Sequence, residues 1–171
     1  MSTAASTANR DVETFRHQAG MTRQVVRMNV DGVSHDESLI QPQPDGNCLN
    51  WVLGHLVCIN GRALGLFGQE PETLGGRLDR YDRGSPPLTD AAEAIDLDEL
   101  RAAWDTVTER WDAGLAALPD GALDQPAPFS PSGNPNETVR SLVSTVAFHQ
   151  AYHAGQLGVL RRIAGKEGAI R

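Results

Sequence analysis

An all-α fold, a four-helix bundle with one long crossover between its second and third helices, is what the 171-residue sequence predicts. Three observations predict it. Four segments repeat apolar residues at steps of three and four, the period of a helix with one face turned to a core. Residues 68–96 and 119–133, which separate them, are rich in Gly, Pro and acidic residues and show no sustained period, as connections do. The first of these is too long for a tight hairpin, so helices two and three are expected to be joined by a segment running the length of the bundle. The length suits a single domain over 1–171, with a flexible N-terminus at 1–8, because a chain of this size buries roughly 70% of its unfolded surface in one core.

The first helix is expected over about 9–30, with Phe15, Ala19, Thr22 and Val26 on one face and Gly32 as its stop. The second, about 47–67, starts at an Asn47 cap, repeats Val52, Leu56, Ile59, Ala63 and Leu66, and stops at Gly68. The third, about 97–118, opens with Asp96 and Glu99 as a carboxylate capping box, carries Leu100, Trp104, Val107, Trp111, Leu115 and Leu118 on its apolar face, and is closed by Pro119. The fourth carries a start signal in "NPNE": Asn134 as cap, Pro135 at the first helical position and Glu137 completing the box, then a run to about Ala164.

Charge narrows the partners. Fifteen Lys and Arg against 22 Asp and Glu leave a net charge of −7, which opposes a phosphate backbone, so no nucleic-acid partner is expected. Residues 1–9, "MSTAASTAN", lack the basic start and apolar run of a secretory signal, and no stretch reaches the roughly 20 apolar residues of a membrane span. The expectation is a cytoplasmic protein with no membrane partner. Cys48 and Cys58 fall on one helix about 15 Å apart, beyond the roughly 7 Å limit for a disulfide, and are expected to be free thiols.

The apolar stripe of the fourth helix reads Val139, Leu142, Val146, His149, His153, Gln156, Leu160, Ile163. Its middle is polar, and burying such groups without partners costs roughly 1–3 kcal/mol each. On the second helix His55 lies three after Val52 and four before Ile59 and can face the same core. His17 falls off its helix's stripe and His35 lies in a polar linker, so both are expected at the surface. A single inward histidine is commonly a hydrogen-bonded core residue, but three on two helices suit a divalent metal held by imidazoles with further positions open, the pattern of a reactive site.

These residues carry a resemblance. "NWVLGHL" on a second helix and "HQAYHAGQLGVLRRIAG" on a fourth resemble the DinB/YfiT-like superfamily of small four-helix metalloproteins, in order and spacing along nearly the whole chain. The resemblance implies a divalent metal, often zinc or nickel, bound by His55, His149 and His153. It also implies chemistry with a small thiol of the bacillithiol or mycothiol type and a small electrophilic substrate, and a homodimer formed through helix faces.

The "HQAYH" pair has the spacing of an HExxH zinc protease, but Gln150 replaces the glutamate base, and an amide has no useful basicity near neutral pH. A metal here would activate a thiol or a water without that base, and a non-catalytic metal protein is the third reading. Gln156 and Tyr152 are candidates to support the site, Gln156 by fixing a histidine tautomer and Tyr152 by donating a proton. The alternatives are a capped carbonyl for Gln156 and a boundary tyrosine with a wet tip for Tyr152. Cys58, Trp51, Trp104 and Trp111 are expected as core packing.

Overall fold

The computed structural model describes residues 3–43 and 45–170, with side chains from residue 10 onward. It comprises α1 (Thr3–Val30), α2 (His35–Ser38), α3 (Leu49–Ala63), α4 (Leu97–Ala116) and α5 (Val139–Ile163). Residues 1–2 of the expected flexible N-terminus lie outside the described residues, and α1 begins earlier than its periodicity predicts. Among the described residues there is no strand, only an isolated antiparallel bridge between Pro126 and Thr138.

Four long helices form the bundle, and their directions follow from cross-helix pairs. Arg16 meets Asp112 and Arg27 meets Asp105, so α1 and α4 are antiparallel. Asp11 meets Arg140 and Asn29 meets Ala154, so α1 and α5 run parallel. His55 meets His149 while Asn60 meets Gln150 further back along α5 than Trp51's neighbours His153 and Gln156, so α3 and α5 are antiparallel. Asn50 bonds Ile95 and Phe67 packs on Trp111, so α3 and α4 run parallel. Two consecutive parallel helices require the chain to return along the bundle between them, which is the predicted crossover.

That crossover is more ordered than its composition suggests. Residues Leu74–Tyr81 form 3-10 turns, broken by Gly75 and Gly76 at φ 68° and 88°, and deliver Tyr81 into the core. The second predicted helix also differs in kind. It was expected to show one apolar face, yet α3 is buried on nearly every side, from Leu49 to Ala63, because α4, α5 and the crossover all pack against it. Its N-cap is Cys48, without a side-chain cap, in place of Asn47.

The start of the fourth helix is corrected. "NPNE" makes turns, with Asn134 Oδ1 accepting from the Asn136 amide, and α5 begins at Val139 under a capping box of Thr138 and Ser141. The reason is nonlocal: the Glu137 carbonyl accepts from the Ala127 amide and the Val139 amide donates to Gln125, which commits this backbone to the bridge instead of a helix. By contrast the Asp96 cap stands where predicted, its carboxylate accepting from the amides of Asp98 and Glu99. Ile163, expected in the core stripe, is 42% exposed at the last turn of α5.

Candidate metal centre

α3 and α5 cross with their histidines facing. His55 is buried and His149 and His153 are half-buried, and one ligand atom from each can be chosen so that all three lie within 4.8 Å of one another. His55 Nε2 and His149 Nε2 are 3.1 Å apart. Two nitrogens bound at about 2.05 Å to a tetrahedral cation would stand about 3.3 Å apart, so this separation fits a shared metal.

Hydrogen bonds fix two of the three tautomers. His55 Nδ1 lies 2.8 Å from the Tyr81 carbonyl, which only accepts, so Nδ1 carries the proton and Nε2 is bare. His153 Nδ1 lies 2.6 Å from Gln156 Oε1, with the same consequence. The ring of His149 has no such anchor, since its Nδ1 is buried without a partner. Facing the bare His55 nitrogen, His149 has to protonate Nε2 to avoid two opposed lone pairs, which strands Nδ1 as an acceptor. A cation shared by the three imidazoles would take up the opposed His55 and His149 Nε2 lone pairs, with the His149 proton then on its unpartnered Nδ1, so the spacing of the donor set fits a divalent metal.

The electrostatics agree. Burial, then repulsion from His153 and His55, pushes His149 down to about 4. Burial also lowers His55 and His153, partly offset by the Tyr81 carbonyl and by Gln156 respectively. All three imidazoles are therefore neutral at pH 7, the state that binds metal.

The surroundings hold this geometry. Trp51 stacks on His55 at 4.9 Å and 13°, so a residue expected only as core also orients a ligand ring. Tyr81, which no local signal in the sequence marks, is fully buried. Its carbonyl orients His55, its hydroxyl donates to Asn50 at 2.8 Å, and it receives the Ile95 amide at 2.7 Å. The one sequence hint is Gly54 inside "NWVLGHL", because a Cβ there would overlap the Tyr81 ring.

Gln150 points away from the histidines. It is 2% exposed and donates to Asn60, which in turn donates to the Leu56 carbonyl at 2.7 Å. This amide pair ties α5 to α3 beside the cluster. Among the described residues no carboxylate or cysteine joins the three histidines. Cys58 and Cys48 are buried and free, and burial pushes the Cys58 thiol up to about 11. Tyr152 is 56% exposed, and its hydroxyl accepts from Gln156 at 3.4 Å. His17 is exposed, as expected, whereas His35 is half-buried in α2, 4.0 Å from Asp96. α2 forms because Ser34 and Glu37 make a local capping box within the linker that reads as polar.

Beside His153 a cavity of about 560 Å³ opens between the start of α3 and the second half of α5. No helix among the described residues is long and apolar enough to cross a membrane.

Comparison with known proteins agrees with this architecture. A crystal structure of a conserved protein from Enterococcus faecalis has a similar fold, with a TM-score of 0.70 at 12% identity, covering 90% of this chain and 97% of that one. At that identity the likeness speaks for the fold alone. No curated protein matches the chain. The family model of the DinB superfamily matches residues 18–157, which include α3, α4 and all three clustered histidines, and the chain therefore belongs to the DinB superfamily.

Proposed function

We propose that the chain is a divalent-metal-dependent enzyme of the thiol S-transferase type, acting in the cytoplasm on a small thiol and a small electrophile, with His55, His149 and His153 holding zinc or nickel. The observation that carries the reading is the convergence of three neutral imidazoles, two with their Nδ1 protons committed to oxygen acceptors. A divalent cation at such a site supplies the charge that keeps a thiol in its nucleophilic thiolate form. Three protein ligands leave positions open for that thiol.

The protein's own residues then orient and protect. Tyr81 and Trp51 hold the His55 ring, and Gln156 holds His153. The Tyr152 hydroxyl, accepting from Gln156, keeps its own proton to donate at the mouth of the cavity. Among the described residues no carboxylate joins the cluster and Gln150 is committed to Asn60, which favours thiol activation over hydrolysis with a general base. Met21 and Met28, 57% and 38% exposed, mark α1 as a face for a second copy, so a homodimer is expected by sedimentation, and a monomer at high concentration would count against it.

Two measurements test the reading. Metal analysis should find His149→Ala and His153→Ala depleted and His17→Ala loaded; full metal in all three cluster variants, His55→Ala included, would remove the site. A panel of small thiols with 1-chloro-2,4-dinitrobenzene should then show turnover that requires both thiol and metal. Thiol-independent ester cleavage would point instead to a hydrolase, and tight metal with no turnover to a non-catalytic protein.

A further inference from the structure

The cavity beside His153 has a character that the metal centre alone does not dictate. Its walls are mainly apolar, with Trp51 and Val52 from α3 and Leu160 and Ile163 from α5. Among its described lining residues none is Lys, Arg, Asp or Glu. The groove between α1 and α4, by comparison, is lined by Arg27, Asp31, Arg101 and Asp105. An ion moved from water into an apolar cavity without a countercharge loses far more solvation than it regains, so while no cation is held at the histidines this uncharged lining selects against carboxylates, sulfonates and phosphates.

Two polar atoms of the lining residues lack partners. Trp51, 5% exposed, has a buried Nε1 with no acceptor, and Asn47 has a buried Oδ1 with no donor. These two atoms have almost no accessible surface, whereas the Gln156 amide and the exposed Tyr152 hydroxyl, from residues that line the cavity, offer partners to a ligand with an uncharged polar group. The volume, about 560 Å³, lies within the roughly 300–1,000 Å³ range of small-molecule pockets.

We propose that this cavity binds a neutral, largely apolar small molecule carrying an uncharged hydrogen-bonding group, such as a carbonyl, amide or aromatic amine. Its identity as the electrophile, delivered next to His153, rests on the thiol-transferase reading above.

The test uses two probes that share one ring system and differ in charge: N-phenyl-1-naphthylamine, which is neutral, and 8-anilino-1-naphthalenesulfonate, which is anionic. Fluorescence titration of the metal-free full chain, in which no cation beside His153 can pair with the sulfonate, should give at least about tenfold tighter binding of the neutral probe. Ile163→Lys places a charge on a wall unique to this cavity, at an exposed position in the last helical turn where lysine is tolerated. It should weaken the neutral probe at least about fivefold with zinc stoichiometry unchanged, because a charged group has displaced apolar wall. Met21→Lys, in the separate α1–α5 groove, should leave that affinity unchanged. Equal or tighter binding of the sulfonate, or an Ile163→Lys affinity equal to wild type, overturns the proposal. Probe selectivity retained in a protein that binds no metal supports the pocket and defeats the thiol-transferase reading, so the two fail separately.

Discussion

Replacing Gly54 with alanine tests how the crossover positions the candidate metal centre. Alanine is favoured over glycine in a helix interior by about 1 kcal/mol, so an unobstructed site would gain stability. At Gly54 the new methyl group would overlap the Tyr81 ring, whose buried hydroxyl donates to Asn50 and accepts from the Ile95 amide, so the ring cannot retreat freely. Overpacking of this kind costs about 1–3 kcal/mol, and each Tyr81 hydrogen bond that lengthens loses about 1 more. The net expectation for Gly54→Ala is a loss of about 2–4 kcal/mol, or about 5–15 °C in melting temperature for a chain of this size. Gly155 in α5 supplies the internal control: a Cβ there meets nothing within 4 Å, so Gly155→Ala should gain about 0.5–1 kcal/mol. Urea unfolding measures both, and zinc titration of the folded proteins completes the test. A ring pushed out this far carries its backbone with it and draws the Tyr81 carbonyl off His55 Nδ1, so Gly54→Ala should also weaken zinc at the candidate site about tenfold, the effect typical of removing a ligand's supporting partner. A Gly54→Ala protein as stable as wild type, or one destabilised with zinc affinity intact, would refute this account of Tyr81.

Three further expectations follow from the same structure. Gln150→Glu removes a donor to Asn60 and buries a carboxyl, so it should cost about 2–4 kcal/mol in urea unfolding while the folded protein takes up as much added zinc as wild type; an unchanged midpoint would contradict the placement of Gln150. Thr138→Ala should cost about 1 kcal/mol and Asn134→Ala less than about 0.5, measured by thermal melts; the reverse order would return the helix start to "NPNE". Burial pushes Cys58 up to about 11 and Tyr81 up to about 12. The unfolded chain releases these protons from about pH 9 and 10, the folded one later. Stability is therefore complete below about pH 9 and falls as pH rises, by about 1–3 kcal/mol at pH 10.5, and a flat urea midpoint between pH 8 and 10.5 would refute the burial of both groups.

The cluster was legible because its determinants are local. His149 and His153 lie one turn apart on an apolar stripe, and His55 sits in step with Val52 and Ile59, so helical geometry alone turns each inward. The Asp96 cap was legible for the same reason, its donors lying two and three residues away. Gln150 shows where the reading stops. Periodicity places it one step off the histidine stripe, but whether that direction meets solvent or protein depended on Asn60, ninety residues away in the chain.

By itself the sequence determined the all-helical class, the long crossover, the free thiols and the three inward histidines, since each follows from spacing within one segment. Only the tertiary structure decided that Tyr81 orients His55, that α3 is buried on nearly every side, and that "NPNE" turns while Thr138 caps. Those outcomes rest on contacts between segments far apart in the chain. A buried backbone group takes whichever partner the packed bundle brings within reach, and local propensity is too weak, at a few tenths of a kcal/mol per residue, to override it.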